Sequence, residues 1–123
     1  MSVQENKEIV RRWNEEGWNE GNLDVIDELA AEDYIDRSSG LGRAATKQNR
    51  AELLAAFSGE LTLEKLVGQG DMVAACWRMR VRQTAEFRGE APTGEESTMH
   101  GISMYRLADG KIVEDWSVVE SRE

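Results

Sequence analysis

After Gly59 the hydrophobic period of this chain changes from helical spacing to two. LTLEKLVG (61–68), DMVAACWRMRVRQT (71–84), STMHGISMYRL (97–107) and KIVEDWSVVES (111–121) all alternate as half-buried strands do. Gly70-Asp71, Ala91-Pro92-Thr93-Gly94 and Asp109-Gly110 supply turn chemistry between them. Strand-length runs joined so closely pair with their sequence neighbours, antiparallel. Before Gly59 the spacing is helical. Residues 4–18 place Ile9, Val10 and Trp13 on one side, and Gly17 and Gly21 punctuate the end. Asn22 is positioned to cap a second helix with Val25, Ile26 and Leu29 inward. DYID (33–36) reads as a short strand and SSGLG (38–42) as a loop. A third helix, 44–57, turns Leu53, Leu54 and Phe57 inward. Helices first and strands afterwards predict an α+β fold, with three N-terminal helices packed on one face of an antiparallel sheet.

At 123 residues the chain is read as one domain, 1–123. A chain of this size has enough material for a core and one pocket. A net charge of −9 argues against nucleic acid and anionic membrane surfaces as partners, since both demand clustered positive charge. The single cysteine, Cys76, allows no internal disulfide, which fits a reducing compartment. MSVQENKEIVRRW lacks an apolar signal core, and no run approaches 18 apolar residues. These features predict a cytoplasmic protein.

HGISMYRLADGKIVEDW (100–116) holds the only histidine, His100, together with Glu114. The loop inside it decides which side chains share a face. A two-residue Asp109-Gly110 turn pairs Ala108 with Lys111; a three-residue loop with a bulge pairs Leu107 with Lys111. The three-residue loop sorts the apolar residues better and is the register expected. One face then carries His100, Ile102, Met104, Ile112, Glu114, Trp116 and Val118. The other carries Gly101, Ser103, Tyr105, Leu107, Val113, Asp115, Ser117 and Val119. Four residues along a strand is roughly 13 Å, so His100 and Glu114 are no hydrogen-bonded pair. Glu114 is expected to pair with an arginine such as Arg78 or Arg80.

WNEGNLDVIDELAAEDYIDR, DMVAACWRMRV, APTG and GISMYRLADGKIVEDW together resemble the SnoaL-like polyketide cyclases, a branch of the NTF2-like superfamily. The likeness spans nearly the whole chain and is most specific at Tyr105-Arg106, Asp109-Gly110-Lys111-Ile112 and Glu114-x-Trp116. It implies a cone: a strongly curved antiparallel sheet wrapped on three helices, with a ligand pocket at the open end. It also implies a homo-oligomer, no cofactor, and ring closure by proton transfer from an acidic residue. The family's catalytic aspartate slot holds Ser117 here, a pocket histidine slot holds Ser103, and a pocket glutamine slot holds Gly101. Many relatives carry aspartate at the 103 slot and histidine at the 115 slot, where this chain has Ser103 and Asp115. Relatives often read Asp-His where this chain reads Asp36-Arg37. The limonene-epoxide-hydrolase-like branch also keeps an aspartate at the 117 slot.

The same mapping implies that the Ser103, Tyr105, Asp115, Ser117 face lines the pocket. The Met104, Trp116 face would be external and cover itself by pairing with a second copy, with Trp77, Met79 and Val81 extending that apolar surface. Asp36 falls at the base slot of ketosteroid-isomerase-like relatives; it is either a buried proton carrier or a cap on the Ser38-Ser39 turn. Asp115 either faces the pocket or sits at a wet edge. Trp13, Tyr34 and Tyr105 are either plain core or the walls of a site for a flat hydrophobic ligand. Ser103 and Ser117 are candidates to hydrogen-bond it, and no nearby histidine activates either as a nucleophile.

GLGRAA (40–45) matches a relaxed dinucleotide pattern, but no parallel βαβ unit follows it. One histidine and one cysteine far apart do not make a zinc site. The expected function is cofactor-independent acid–base chemistry on a hydrophobic, oxygenated small molecule: cyclisation, isomerisation or hydrolysis. Asp36 and Asp115 would carry protons and Tyr105 would donate. The competing reading is a non-catalytic binding or dimerisation module. A closed, dry cavity with at least one buried carboxylate favours the first; a cavity filled by Trp13 and Tyr34 excludes it.

Overall fold

A computed structural model describes residues 2–122. Helix α1 (Val3–Asn14) starts at a capping box in which Ser2 Oγ accepts from Glu5 N and Glu5 Oε1 accepts from Ser2 N, both at 3.0 Å. Arg11 and Arg12 reach Glu15 and Glu16 one turn on, at 3.0 and 2.8 Å. The buried stripe is Asn6, Val10, Trp13 and Asn14, with Ile9 packed at its edge. Gly17 does not end the helix as its sequence position suggests. Residues 15–19 continue it as one wide π-type turn, and Gly17 is buried there. A Cβ on Gly17 would lie 2.5 Å from Arg50 Nη1, so the glycine makes room for the arginine.

Asn22 Oδ1 accepts from Asp24 N at 3.2 Å at the start of α2 (Asp24–Leu29), which buries Val25, Ile26 and Leu29. The chain then runs directly into β1 (Ala30–Asp36), α3 (Arg43–Ala56) and β2 (Phe57–Gln69). Strands β3 (Met72–Gln83), β4 (Glu96–Ala108) and β5 (Lys111–Arg122) follow. The sheet order is β1-β5-β4-β3-β2. β2 to β5 form an antiparallel meander, and β1 adds parallel to β5. The fold is α+β, with the helices against one face of a curved sheet.

Val10, Trp13, Val25, Ile26, Leu29, Tyr34, Val73, Ala75, Tyr105, Leu107 and Ile112 form one buried cluster at one end of that concave face. Burying each large aliphatic side chain contributes about 1.5–3 kcal/mol. Beyond that end the concave face is lined rather than filled, which leaves the site.

Three expectations are corrected here. The β4–β5 loop is the two-residue Asp109-Gly110 turn, with φ of 52° and 77°, and Ala108 faces Lys111. The bulge lies further in: Arg106 faces Glu114 and Leu107 faces Ile112, leaving Val113 without a partner. Ile112 therefore points inward and is fully buried, not external. Beyond the bulge the expected sorting holds, with Tyr105 opposite Asp115 and Ser103 opposite Ser117.

Trp77 is the second correction. It pairs with Gly101 and so lies on the concave face, as do Met79 and Val81, which line the cavity. A Cβ on Gly101 would collide with the Trp77 indole, so the ring occupies the room the glycine leaves. Arg78, Arg80 and Arg82 are the outward members of that alternation and are exposed. Glu114 is the third. It is held by Arg106 Nε at 2.8 Å and Arg37 Nε at 2.7 Å, not by Arg78 or Arg80.

Candidate functional site

The inward residues of β3 pass from core to cavity wall along one strand. Val73 and Ala75 are buried; Trp77, Met79 and Val81 line an open space of about 480 Å³. That volume suits a small organic ligand. α3 closes one side through Thr46, Arg50, Leu53 and Leu54. All seven candidates named from sequence, Trp13, Tyr34, Asp36, Ser103, Tyr105, Asp115 and Ser117, line this one cavity. Trp13 and Tyr34 pack on each other with ring centroids 5.5 Å apart and form wall, not filling.

Asp115 is 6% exposed. Its Oδ2 accepts from the Tyr34 hydroxyl at 2.8 Å, while its buried Oδ1 has no partner. The parallel β1–β5 register sets Asp36 beside Asp115, and Arg37 N donates to the Asp115 carbonyl at 2.8 Å. Asp36 is half-buried and caps the Ser38-Ser39 turn. Its oxygens accept from Ser38 N and Ser39 Oγ, both at 2.9 Å, and it also lines the cavity. It acts on Asp115 through its charge and through a side-chain hydrogen bond between the two carboxyls, and both raise Asp115. Burial pushes the Asp115 carboxyl up to about 7; the Tyr34 bond opposes this, the Asp36 charge adds to it, and Arg50 opposes it. A carboxyl of that pKa gives and takes protons near neutrality.

Ser103 and Ser117 face each other with Oγ atoms 2.8 Å apart, and Trp77 Nε1 donates to Ser103 Oγ at 3.0 Å. Ser117 N donates to Ser38 Oγ at 2.8 Å, which ties the β1–α3 loop to β5. At the floor Asn14 Nδ2 donates to the Tyr105 hydroxyl at 3.1 Å. Burial pushes Tyr105 up to about 12, and Asp115 adds to the rise. Burial likewise raises Tyr34, so both phenols stay protonated donors.

Arg50 went unnoticed in the sequence. It is 6% exposed and lies between two indoles, 4.9 Å from the Trp13 ring centroid and 4.6 Å from that of Trp18. Each contact is worth about 0.5–2 kcal/mol. Burial lowers its pKa, with the tyrosines and aspartates of the site opposing. The signal was present: the stripe Leu53, Leu54, Phe57, continued backwards at helical period, reaches Arg50 and Thr46.

The curved sheet closed by helices is matched elsewhere. A family model described as SnoaL-like polyketide cyclase covers residues 8–122. The chain belongs to the SnoaL-like polyketide cyclase family. Among solved structures it is similar to AclR from Streptomyces galilaeus, a proposed hydroxylase, with 27% identity, TM-score 0.87, and 98% of this chain and 82% of that one covered. It is similar to a proposed SnoaL-like polyketide cyclase from Jannaschia sp. CCS1, with 26% identity, TM-score 0.84 and coverage of 96% and 87%. IdmH from Streptomyces antibioticus, a proposed polyketide cyclase, gives 26% identity, TM-score 0.81 and coverage of 94% and 91%. No curated protein matches the chain. Among the described residues no helix is long and apolar enough to cross a membrane. As a SnoaL-like chain it has Ser117 hydrogen-bonded to Ser103 at the two family slots noted above, while its carboxylate stands one inward position away, at Asp115.

Proposed function

We propose that this SnoaL-like chain is a cofactor-independent enzyme that moves a proton on a hydrophobic, oxygenated small molecule, with Asp115 as the proton carrier. The observation that carries the reading is the Asp115 carboxyl: buried, raised to about 7, and with Oδ1 unpartnered in the cavity wall. Asp36 is its charged neighbour and a second carrier nearer the turn. Tyr34 fixes one Asp115 oxygen. Trp13 and Tyr105 form wall and floor, with Tyr105 as the hydroxyl donor, and the Ser103–Ser117 pair offers hydrogen bonds to ligand oxygens.

Proton removal beside a carbonyl is the shared first step of cyclisation and isomerisation. The C–H bond breaks, the proton goes to Asp115, and the electron pair moves through the new C=C onto the carbonyl oxygen. Hydrolysis would use the same carboxylate to deprotonate water. Deuterium exchange at the α-carbon of aryl ketones and 1,3-diketones, followed by NMR in D2O, tests the reading. Wild-type protein should accelerate exchange and Asp115→Asn should not. Ligand binding without any exchange, hydrolysis or ring closure would favour a binding module, which Ser117 at the family's aspartate slot supports.

The external face offers a second copy of the chain a surface. Ile102 faces Val118 and Met104 faces Trp116, and all four are exposed. We place a homodimer contact there, through Met104 and Trp116; Trp77, assigned to it from sequence, lies inside. Neither nucleic acid nor a membrane suits a chain of charge −9, and the free thiol of Cys76 fits a cytoplasmic setting.

A further inference from the structure

Arg50 is the single cation among the residues that line the cavity. Buried guanidinium groups ordinarily sit against a carboxylate, because an unpaired buried charge is costly. Among the described residues none lies within ion-pair distance of Arg50, and its protein hydrogen bond is Nη1 to the Trp13 carbonyl at 3.2 Å. Among the described residues, the buried polar side-chain atoms left without partners are Asn6 Oδ1, Thr46 Oγ1 and Asp115 Oδ1. Arg50 lines the cavity, and its other N–H groups have no partner among the described residues.

The surroundings hold that fork rigid. Trp13 and Trp18 sandwich the guanidinium, and Gly17 in the wide turn leaves space for Nη1. A planar cation fixed between two indoles, with free in-plane donors, is built to receive a planar oxyanion. The walls beside it are apolar: Leu53, Leu54, Met79 and Val81.

We infer that the cavity takes a flat, conjugated ligand bearing an oxyanion, a carboxylate or an acidic enol, and that Arg50 anchors that group. The inference names the substrate class of the proposed site and rests on that cavity being the substrate site. It adds a charge requirement that a merely hydrophobic pocket lacks. In a chain of net charge −9, with Asp36 and Asp115 on the same wall, an anion has no other cation in the cavity to hold it.

The test measures dissociation constants by calorimetry for three probes: 2-naphthoate, its neutral methyl ester, and an acidic naphthyl 1,3-diketone. Unmodified protein should bind the naphthoate or the diketone enolate at least about tenfold more tightly than the ester. Whichever of the two binds more tightly identifies the source of the oxyanion. Arg50→Gln should erase the preference, and Arg50→Lys should restore part of it. Equal affinity for acid and ester, or no binding of any probe, overturns the inference. The acid–ester comparison on unmodified protein stands whether or not the Arg50 variants fold. Asp115→Asn should keep the anion preference while losing α-proton exchange. Loss of exchange in that variant without anion preference in the wild type would refute the Arg50 role alone. Anion preference without exchange would refute the proton-transfer role alone.

Discussion

Tyr34 Oη donates to Asp115 Oδ2 at 2.8 Å across the seam between β1 and β5, and the other Asp115 oxygen has no partner. This half-satisfied buried carboxyl has a measurable cost. Its ordinary value is 3.8 and its folded value about 7, so the folded state disfavours the charged form. The stability penalty is absent below about pH 4 and grows as pH rises toward 7, reaching on the order of 2–4 kcal/mol. Asp115→Asn keeps an acceptor for Tyr34 and removes the charge. Its melting temperature should match wild type near pH 4 and exceed it by several degrees near pH 8. A constant difference across that range would contradict the burial of the Asp115 charge.

Trp77 lines the cavity with its indole seated over Gly101. Gly101→Val should drive the indole out of its place, break its bond to Ser103 and cost about 1–3 kcal/mol. A urea midpoint with tryptophan emission checks both effects. Combining it with Trp77→Leu should recover part of the loss, because the two changes share one contact.

Ile112 lies fully buried because the two-residue turn sets it opposite buried Leu107. Ile112→Ala should cost about 2–5 kcal/mol by denaturant unfolding. An external Ile112, as the three-residue loop would place it, would cost within about 0.5 kcal/mol.

The square of Ile102, Val118, Met104 and Trp116 is the proposed dimer contact. Light scattering should give twice the 13.9 kDa chain mass for wild type. Met104→Lys with Trp116→Glu should give the single mass with an unchanged circular dichroism spectrum. A monomeric wild type would remove the contact.

The period-two runs after Gly59 and the helical stripes before it settled the α+β class, because side-chain periodicity follows directly from backbone geometry. The same alternation put Ser103, Tyr105, Asp115 and Ser117 on one face, and the structure finds them in one cavity. What the sequence left open turned on single residues or distant neighbours. Apolar sorting favoured the wrong hairpin loop, because the bulge at Val113 shifts the face from Glu114 onward just as an extra loop residue would have, while Ile112 stays opposite Leu107. Trp77 could not be placed from its own strand, since strand alternation is symmetric and the pairing with Gly101 decides which face is concave. Arg50 read as one charged residue among many on α3. Its burial between Trp13 and Trp18 arises only when a wide turn at Gly17 meets a helix that begins 26 residues later in the chain, from Gly17 to Arg43. Local periodicity is written in the sequence; the environment that raises Asp115 and isolates Arg50 comes from elements that meet only in the folded chain.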